Sequence, residues 1–291
     1  MEIEVKGHSG CRIDIVNDGK SLFISKSTED RKYIPRLLKQ AQKQQKASAC
    51  DIQHIRIPEI FGIDQTENSL AIRMEYVYSK NFVTFFEDAG FDNINYFIKA
   101  LKIFIDHEIE QCHTAPVART ILTDKFDDVY SKVLANPLIN SDKDILRMME
   151  ESKAVFYNLP ESILLPLAES EDVNICHGDL TFSNILFNGN NYYLIDFLDS
   201  FIESPLIDIV KIRQDSCFRW SLLMYDAPYD DVRMRIIHDS IDRAIVAEYS
   251  KYDWYREYYL PLQLMNLLRV LQYAKEPKVV SFLKSSIESI I

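Results

Sequence analysis

One short run of the chain, from Ile175 to Ser200, concentrates side chains that can bind a metal ion or move a proton. It reads ICHGDLTFSNILFNGNNYYLIDFLDS, with acids, an amide and a histidine between apolar stretches. These polar residues are His177, Asp179, Asn184, Asp196 and Asp199. Carboxylate and amide oxygens are ligands that Mg²⁺ prefers, and a carboxylate can accept a proton from a reacting hydroxyl. The run therefore predicts a functional site rather than an ordinary surface.

Two short strands are predicted inside this run, over residues 185–187 and 192–195. The connection between them contains Asn-Gly, which is the strongest local signal for a tight hairpin. Pairing of the strands would bring Asn184, just before the first, beside Asp196, just after the second. Two hard oxygen donors would then converge next to Asp179.

Length and composition set the class of protein. The chain has 291 residues, of which 47% are hydrophobic, with only seven glycines and ten prolines, and these values indicate a globular protein of one or two domains. Lys and Arg number 33 against 44 Asp and Glu, and the net charge of −11 argues against nonspecific nucleic-acid binding. The same charge is compatible with a cationic ligand.

Cysteine usage and the terminal sequence predict the compartment. The five cysteines are odd in number and form no CxxC pair, which is typical of reduced thiols rather than of a disulfide framework. The first ten residues lack the apolar core of a signal peptide, and no run approaches the roughly 18 apolar residues of a membrane helix. We expect a cytoplasmic protein without a membrane span.

The first 79 residues predict a small lobe of antiparallel strands with one helix. β-rich runs separated by turn signals give strands at 3–5, 12–16, 21–25, 55–63 and 70–78, and strong helix formers give a helix at 33–48. A loop from Gly7 to Gly10 joins the first two strands, where backbone amides could face a phosphate. Lys26 ends the third strand. The lysines of the helix are expected to form a solvent-exposed face.

The chain beyond Ser79 predicts helices around one small hairpin. Apolar residues recur at helical spacing in the segments 95–113, 144–157, 205–224, 231–250, 255–274 and 277–290. A loop that contains Pro160 and Pro166 leads into the run described first. The whole is an α+β protein with a boundary near Ser79.

The run from Ile175 to Ser200 also carries a family pattern. H-G-D-x-x-x-x-N is followed twelve residues later by I-D-F, which resembles the catalytic and metal-binding segments of the protein-kinase-like superfamily. Protein kinases have arginine where this chain has Gly178, so it is more similar to the aminoglycoside phosphotransferase and choline kinase branch. The resemblance implies a bilobal fold, with a nucleotide-binding lobe over residues 1–79 and a helical lobe with the acceptor site over 80–291.

The resemblance also implies roles in ATP-dependent phosphoryl transfer. Asp179 is the implied catalytic base, and Asn184 and Asp196 are the implied Mg²⁺ ligands. Lys26 is implied to contact the α and β phosphates of ATP. Backbone amides of the loop are implied to brace the same phosphates, and the candidates there are Gly7, Ser9 and Gly10.

Further residues gain structural or binding roles by the same resemblance. His177 is implied to bond to backbone near Asp196, and Asp208 to anchor the catalytic loop from a following helix. The connector between the lobes is implied to bind adenine through the backbone of Glu75 and Val77, with Met74 lining the pocket.

One departure from the family pattern concerns the helix that should pair a glutamate with Lys26. That helix offers glutamines, and no glutamate lies between Glu29 and Glu59. A glutamine can accept a hydrogen bond from the ammonium but holds it less firmly than a carboxylate does. The departure implies either reduced activity or a substitute acid, such as Glu29.

The acceptor is implied to be a hydroxyl-bearing small molecule of the aminoglycoside, amino-alcohol or sugar type. Acids and aromatics of the carboxyl-terminal part would suit a cationic acceptor through ring-face attraction, although such aromatics more often belong to a core. They are Glu203, Asp215, Trp220, Tyr225, Trp254, Tyr255, Tyr258 and Tyr259. Asp199 assists the metal or the acceptor, or is an ordinary loop acid. The alternative to an enzyme is a nucleotide-binding pseudokinase without turnover.

Overall fold

The computed structural model describes residues 3–6, 11–19, 21–168 and 175–291. The predicted glycine loop, with Gly7, Ser9 and Gly10, lies outside the described residues. The fold is α+β: an antiparallel sheet occupies the amino-terminal part, and the carboxyl-terminal part is mainly helical.

Ten strands are described. They are β1 Ile3–Lys6, β2 Arg12–Asn17, β3 Leu22–Thr28, β4 Ile55–Arg56, β5 Ile60–Gln65, β6 Leu70–Glu75, β7 Cys112–Ala118, β8 Ser162–Ala168, β9 Ile185–Asn188 and β10 Asn191–Leu194. Five of them form an antiparallel sheet in the order β1-β2-β3-β6-β5. Lys26 lies inside β3 opposite Ile72 of β6, so the prediction that it ends a strand was wrong.

Ten α-helices are described in the same residues. They are α1 Ile34–Ser48, α2 Phe82–Asp88, α3 Phe91–Glu110, α4 Arg119–Ala135, α5 Lys143–Tyr157, α6 Pro205–Ser216, α7 Trp220–Leu223, α8 Asp231–Tyr249, α9 Asp253–Leu271 and α10 Pro277–Glu288. The helix predicted over 205–224 is two helices, because Arg219 between them adopts a left-handed backbone conformation. Helices α2 and α4 were not predicted.

Helix α1 packs on the five-stranded sheet through one apolar face. Leu37 and Ala41 of α1 join Leu70 and Ile72 of β6 in a small hydrophobic cluster. Ala47, near the end of the helix, belongs instead to the large core formed by the carboxyl-terminal helices. The helix therefore connects the two apolar clusters.

The predicted loop around Pro160 and Pro166 was wrong, because it contains strand β8. Strands β7 and β8 pair as an antiparallel two-stranded sheet, in which Pro166 lies opposite Thr114. Each strand of such a sheet has one unpaired edge, where the missing N–H of a proline removes no hydrogen bond. The strand was therefore not predicted, because proline is more typical of turns and loops.

A three-stranded sheet in the order β4-β10-β9 holds the predicted hairpin. The predicted strand over 55–63 is divided, because β4 leaves the larger sheet and pairs parallel to β10. On the opposite side, Lys80 and Phe187 of β9 exchange two backbone hydrogen bonds of 2.9 and 3.1 Å. The hairpin is thus fixed between two segments that come much earlier in the chain.

The described helices include none that combines the length and the apolar character needed to cross a membrane. The longest, α3, has 20 residues and carries acids and lysines.

Candidate active site

The loop that begins at His177 is held from below by a buried carboxylate. Backbone N–H groups of His177 and Gly178 donate to Asp208 of α6 at 2.6 and 2.7 Å. Asp208 is fully buried, and charge-assisted bonds of this kind are shorter and stronger than neutral ones. It therefore takes the anchoring position that the family resemblance implied.

Gly178 is required at its position by space as well as by backbone conformation. Its φ is +80°, and a Cβ atom there would lie 2.4 Å from the carbonyl oxygen of Leu198. Any larger residue would force the loop away from the segment that follows Asp196. The glycine that separates this motif from the protein kinases thus permits a close contact between two functional segments.

His177 joins these segments through its ring. Nε2 donates to the carbonyl of Ile195 at 2.8 Å, and Nδ1 accepts the backbone N–H of Asp179 at 3.2 Å. Burial lowers the pKa of His177, which agrees with a neutral ring that donates with one nitrogen and accepts with the other. The structure agrees with the expectation that His177 bonds to backbone near Asp196.

Asp179 lies at the mouth of this loop between two donors. Lys211 of α6 places Nζ 3.0 Å from Oδ1, and Asn184 places Nδ2 3.0 Å from Oδ2. Burial opposes ionisation of the carboxyl, but the charge of Lys211 and these hydrogen bonds prevail, so the pKa of Asp179 lies below its usual value. An ionised, oriented carboxylate of this kind can align a hydroxyl and accept its proton.

The hairpin β9–β10 brings Asn184 and Asp196 together. The N–H of Ile195, next to Asp196, donates to the carbonyl of Asn184 at 3.0 Å. Asp196 has a φ of +60°, a conformation that costs a non-glycine residue about 1–2 kcal/mol. Such a cost is accepted where the position of a side chain matters.

These two residues also suit a divalent cation. Asn184 uses Nδ2 for Asp179, so Oδ1 remains as its oxygen donor. The carboxylate of Asp196 is 42% exposed and already attracts the ammonium of Lys26. An amide oxygen and a carboxylate at one mouth match the hard, oxygen-rich coordination of Mg²⁺.

Lys26 reaches Asp196 from the five-stranded sheet. Its Nζ donates to Asp196 Oδ1 at 2.8 Å, although the lysine is 6% exposed. Burial disfavours the ammonium, but Asp196 outweighs it and the pKa of Lys26 is raised. The acid that pairs with Lys26 is thus Asp196, and Glu29 does not substitute for the missing helix glutamate.

Helix α1 contacts the site differently from the expected solvent-exposed lysine face. Lys43 is buried, and its Nζ contacts Glu203 at 2.6 Å and the Leu198 carbonyl at 2.7 Å. Arg36 lies 3.4 Å from Asp199. The expectation of an exposed face was wrong for Lys43, because Glu203 and the Leu198 carbonyl, both after Asp196, bind its ammonium.

Gln40 of α1 is the glutamine whose environment is least satisfied. It is 4% exposed, and neither amide atom has a hydrogen-bond partner among the described residues. Gln44, one turn later, donates to the carbonyl of Pro58 at 2.9 Å. The buried face of α1 therefore includes an unpaired amide near the sheet that carries Lys26.

The connector residues lie at and beyond the end of β6. Met74 packs against the small cluster, and Glu75 N–H donates to the Glu59 carbonyl at 2.8 Å. The N–H of Val77 has no acceptor in the part of the chain that the structure describes. That amide is available for a ligand.

Sequence reasoning missed Lys211 of α6 and assigned Asp215 of the same helix to an acceptor pocket instead of to the loop. Lys211 contacts Asp179, and Asp215 accepts the N–H of Phe182 at 2.6 Å and also binds Ser221. With Asp208 they recur at intervals of three and four, which places all three on one helical face. This polar stripe within an apolar helix was the signal that could have revealed them.

A buried acidic cluster lies beneath the same loop. Ligand-type atoms of Glu108, Cys176 and Asp208 lie within 4.8 Å of one another. Burial and the charge of Asp208 raise the pKa of Glu108 well above its usual value, and a hydrogen bond joins the two acids. The cluster also contacts the loop, because Glu108 Oε1 accepts the backbone N–H of His177 at 3.2 Å.

The cationic-acceptor pocket predicted in the carboxyl-terminal part is not formed by the residues proposed for it. Four of its aromatics are core residues no more than 8% exposed, namely Trp254, Tyr255, Tyr258 and Tyr259. Asp215 is buried against the loop that begins at His177, and Glu203 pairs with Lys43. Both acids are already engaged, and the core alternative is confirmed for these four aromatics, while Trp220 and Tyr225 are partly buried against the same core.

Comparison with known proteins agrees with this geometry. The model of a family described as the phosphotransferase enzyme family, APH, matches residues 107–258, just over half of the chain. No curated protein matches the sequence.

Solved structures of similar fold cover nearly the whole chain. A thermostable mutant of the aminoglycoside phosphotransferase APH(4)-Ia, in a ternary complex with ADP and hygromycin B, has a TM-score of 0.60 at 11% identity and covers 100% of this chain and 92% of its own. The GDP and kanamycin complex of APH(2")-IIia has a TM-score of 0.60 at 13% identity, with the same coverage. A putative fructosamine-3-kinase from Haemophilus somnus has a TM-score of 0.56 at 13% identity, covering 100% and 91%. These likenesses show the fold.

Proposed function

Because the chain belongs to the phosphotransferase enzyme family, we propose that it transfers the γ-phosphate of ATP to a hydroxyl group of a small molecule. The observation that carries the proposal is the convergence of Asp179, Asn184, Asp196 and Lys26 at one mouth, although Lys26 is 170 residues from Asp196 in sequence. Two structures of similar fold contain ADP or GDP, which supports a nucleotide as the donor.

Asp179 is the proposed base. Its carboxylate accepts the proton of the acceptor hydroxyl as the hydroxyl oxygen attacks the γ-phosphorus in line, while the bond to the β–γ bridging oxygen breaks. Lys211 and Asn184 orient the carboxylate and favour its ionised form. Lys211 is a positioning residue, since it acts through Asp179.

Asn184 and Asp196 are the proposed holders of Mg²⁺, which would neutralise charge on the phosphates. Lys26 is the proposed partner of the α and β phosphates, and the ammonium moves from Asp196 to them when the nucleotide arrives. The glycine-loop amides of Gly7, Ser9 and Gly10 are proposed to assist.

The nucleotide is proposed to bind between residues 1–79 and residues 80–291. The free N–H of Val77 and the carbonyl of Glu75 would bond to the edge of adenine, with Met74 against its face. GTP as the donor is a testable variant, because one similar structure is a GDP complex.

The test is the exchange of Asp179 for asparagine. Asp179→Asn keeps the shape of the side chain but cannot take the proton, so ATP-dependent phosphorylation of small-molecule hydroxyls should fall about 10²–10⁴-fold. Affinity for MgADP, measured by calorimetry, should change by less than about threefold. Asp128→Asn, at an exposed acid remote in sequence, is the matched control.

Unchanged turnover in Asp179→Asn would show that Asp179 is not the base. If the wild-type protein binds MgATP but phosphorylates nothing in a complete small-molecule extract, the pseudokinase alternative replaces the enzyme. The unpaired amide of Gln40, where a glutamate was expected, is the feature that favours that alternative.

A further inference from the structure

Basic side chains of two helices lie near Asp179. Lys211 lies 3.0 Å from Asp179, and Arg269, near the end of α9, interacts with the same carboxylate through space. Arg36 of α1 acts on Arg269 in turn as a like charge. Asp179 is thus near two cations, Lys211 and Arg269, and Arg269 is in turn near a third, Arg36.

Arg269 is the unusual member of this group. Its Cζ lies 5.1 Å from the ring centroid of Phe201, in the segment that follows Asp196. Among the described residues, no hydrogen bond or ion pair engages its guanidinium. A guanidinium has five N–H donors and keeps its charge in proteins. Burial is the main influence on the pKa of Arg269 and lowers it.

Arg213, three residues before the end of helix α6, is an example of a guanidinium whose charge is compensated. It donates to both carboxylate oxygens of Asp242, at 2.8 and 3.0 Å, and to the hydroxyl of Tyr255 at 2.9 Å. The ring of Tyr259 covers its other face. Arg269 has a similar contact with an aromatic ring but, among the described residues, none of the hydrogen-bond acceptors. The N–H groups of its guanidinium are therefore available to a ligand.

Arg36 of α1 also lies near the segment that follows Asp196. It lies 3.4 Å from Asp199, and Phe201 under Arg269 is two residues further on. Arg36 and Arg269 repel one another, and an anion between or beside them would relieve that repulsion. Planar, bidentate recognition of carboxylate and phosphate is the main use of arginine in binding sites.

We propose that the acceptor is an anionic hydroxyl compound, and that its carboxylate or phosphate binds the open guanidinium of Arg269 while its hydroxyl faces Asp179. Arg36 supports the same anion across the cleft. The inference rests on the proposed function and narrows its acceptor from cationic or neutral compounds to those with an oxyanion.

The first experiment sorts acceptors by charge. A small-molecule extract of the source organism is freed of nucleotides on charcoal and separated by ion exchange into anionic, neutral and cationic fractions. Each receives [γ-³²P]ATP, Mg²⁺ and either the wild-type protein or Asp179→Asn. Wild-type-dependent labelling of a new phosphate ester is expected in the anionic fraction.

Two contrary results have different meanings. Labelling confined to the neutral or cationic fraction would overturn the anionic acceptor and leave the phosphotransferase intact. No labelling in any fraction, with MgATP bound, would overturn the proposed function and the inference with it. Alkaline phosphatase treatment of the anionic fraction distinguishes the two oxyanions, since it removes a phosphate-bearing acceptor and leaves a carboxylate acceptor in place.

The second experiment tests Arg269 directly. Arg269→Gln should raise the amount of anionic fraction needed for half-maximal rate about 10- to 100-fold, the range of a charge-assisted fork, with KM for ATP within twofold. Arg269→Lys should lose less. Arg256→Gln, at an exposed arginine about 20 Å away along the same helix, should match the wild type.

An unchanged half-saturating amount in Arg269→Gln would overturn the assignment. An equal loss with every fraction, or a loss in KM for ATP alone, would also overturn it, because the guanidinium would then serve the donor phosphates.

Discussion

His238 of α8 is buried against the ring of Phe182, in the short segment between Asp179 and Asn184. The rings of Phe82 and Phe86 also approach it, with centroids 6.4 and 5.6 Å away. Nδ1 donates to the Met234 carbonyl, while Nε2 has no partner among the described residues. Burial therefore lowers the pKa of His238 from its ordinary value of 6.5 to about 4.

This shift predicts how stability depends on pH. Above pH 6.5 the ring is neutral in both states and its contribution is complete. As the pH falls towards 4, the unfolded chain takes up a proton that the folded protein excludes, so stability is lost. Between pH 7 and 5 the loss from this group is about 2 kcal/mol.

The measurement is urea unfolding of the wild type and of His238→Phe at both pH values. The variant should lose about 2 kcal/mol less than the wild type over this interval, whereas His113→Phe, at an exposed histidine, should behave like the wild type. Parallel pH dependence of wild type and His238→Phe would contradict the assignment.

At this scale, local spacing made part of the candidate site predictable. Asp179, Asn184 and Asp196 lie within 18 residues, and one hairpin brings the last two together, so their juxtaposition followed from a turn signal. Lys211 and Arg269 come from helices whose packing no local pattern specifies. Their positions near Asp179 therefore could not be predicted from the sequence.

Helix α1 contacts the carboxyl-terminal part of the molecule through an ion pair as well as through its apolar face. The side chains of Lys43 and Glu203 are 8% and 25% exposed. The Leu198 carbonyl that Lys43 also contacts lies against Gly178. Through Lys43, the helix therefore contacts the segment after Asp196, which in turn lies against the loop that contains Gly178.

Lys43→Met should therefore cost more than an ordinary lysine replacement. It leaves Glu203 partly buried and unpaired, which should lower the free energy of unfolding by about 2 kcal/mol after allowance for the exposure of the acid. Lys39→Met, at an exposed position of the same helix, should change it by less than about 0.5 kcal/mol. Denaturant unfolding measures both.

A double-mutant cycle isolates the pair. Glu203→Gln should add little to Lys43→Met, so the two losses should not be additive. Full additivity would show that the contact contributes no coupling energy.

At the scale of elements, helix formers and alternating apolar residues predicted most helices and strands. They could not specify orientation: α1 was expected from its composition, but the burial of Lys43 depends on acids 160 residues away. Strand β8 was missed because its proline suggested a loop, and β4 was joined to β5 because pairing with β10 is a long-range contact.

The whole molecule is connected across the predicted lobe boundary near Ser79. Ile52 and Ile55, before that boundary, are buried in the large core with the carboxyl-terminal helices. Strand β4 pairs only with β10 among the described strands. Unfolding of the amino-terminal part would therefore also expose residues of the large core of the carboxyl-terminal part.

We accordingly expect a single cooperative unfolding transition. Tryptophan fluorescence reports the helical part, because Trp220 and Trp254 are the two tryptophans. Hydrogen exchange of the Ile24 and Ile72 amides reports the five-stranded sheet. The two free energies should agree within about 1 kcal/mol, and sheet amides that open at least 3 kcal/mol more easily would show two independent units.

Helix α6 holds the loop that carries Asp179, whereas the proposed contact to the acceptor comes from another helix. Asp208, Lys211 and Asp215 contact the loop from one face of a helix that is almost wholly buried. Arg269, the proposed acceptor contact, belongs instead to α9, which hydrogen-bonds to α6 through Tyr255 and Asn266. Under the proposal, a substitution at Arg269 changes which acceptor is bound and leaves the three contacts that hold the loop in place, so acceptor preference can evolve separately from the loop.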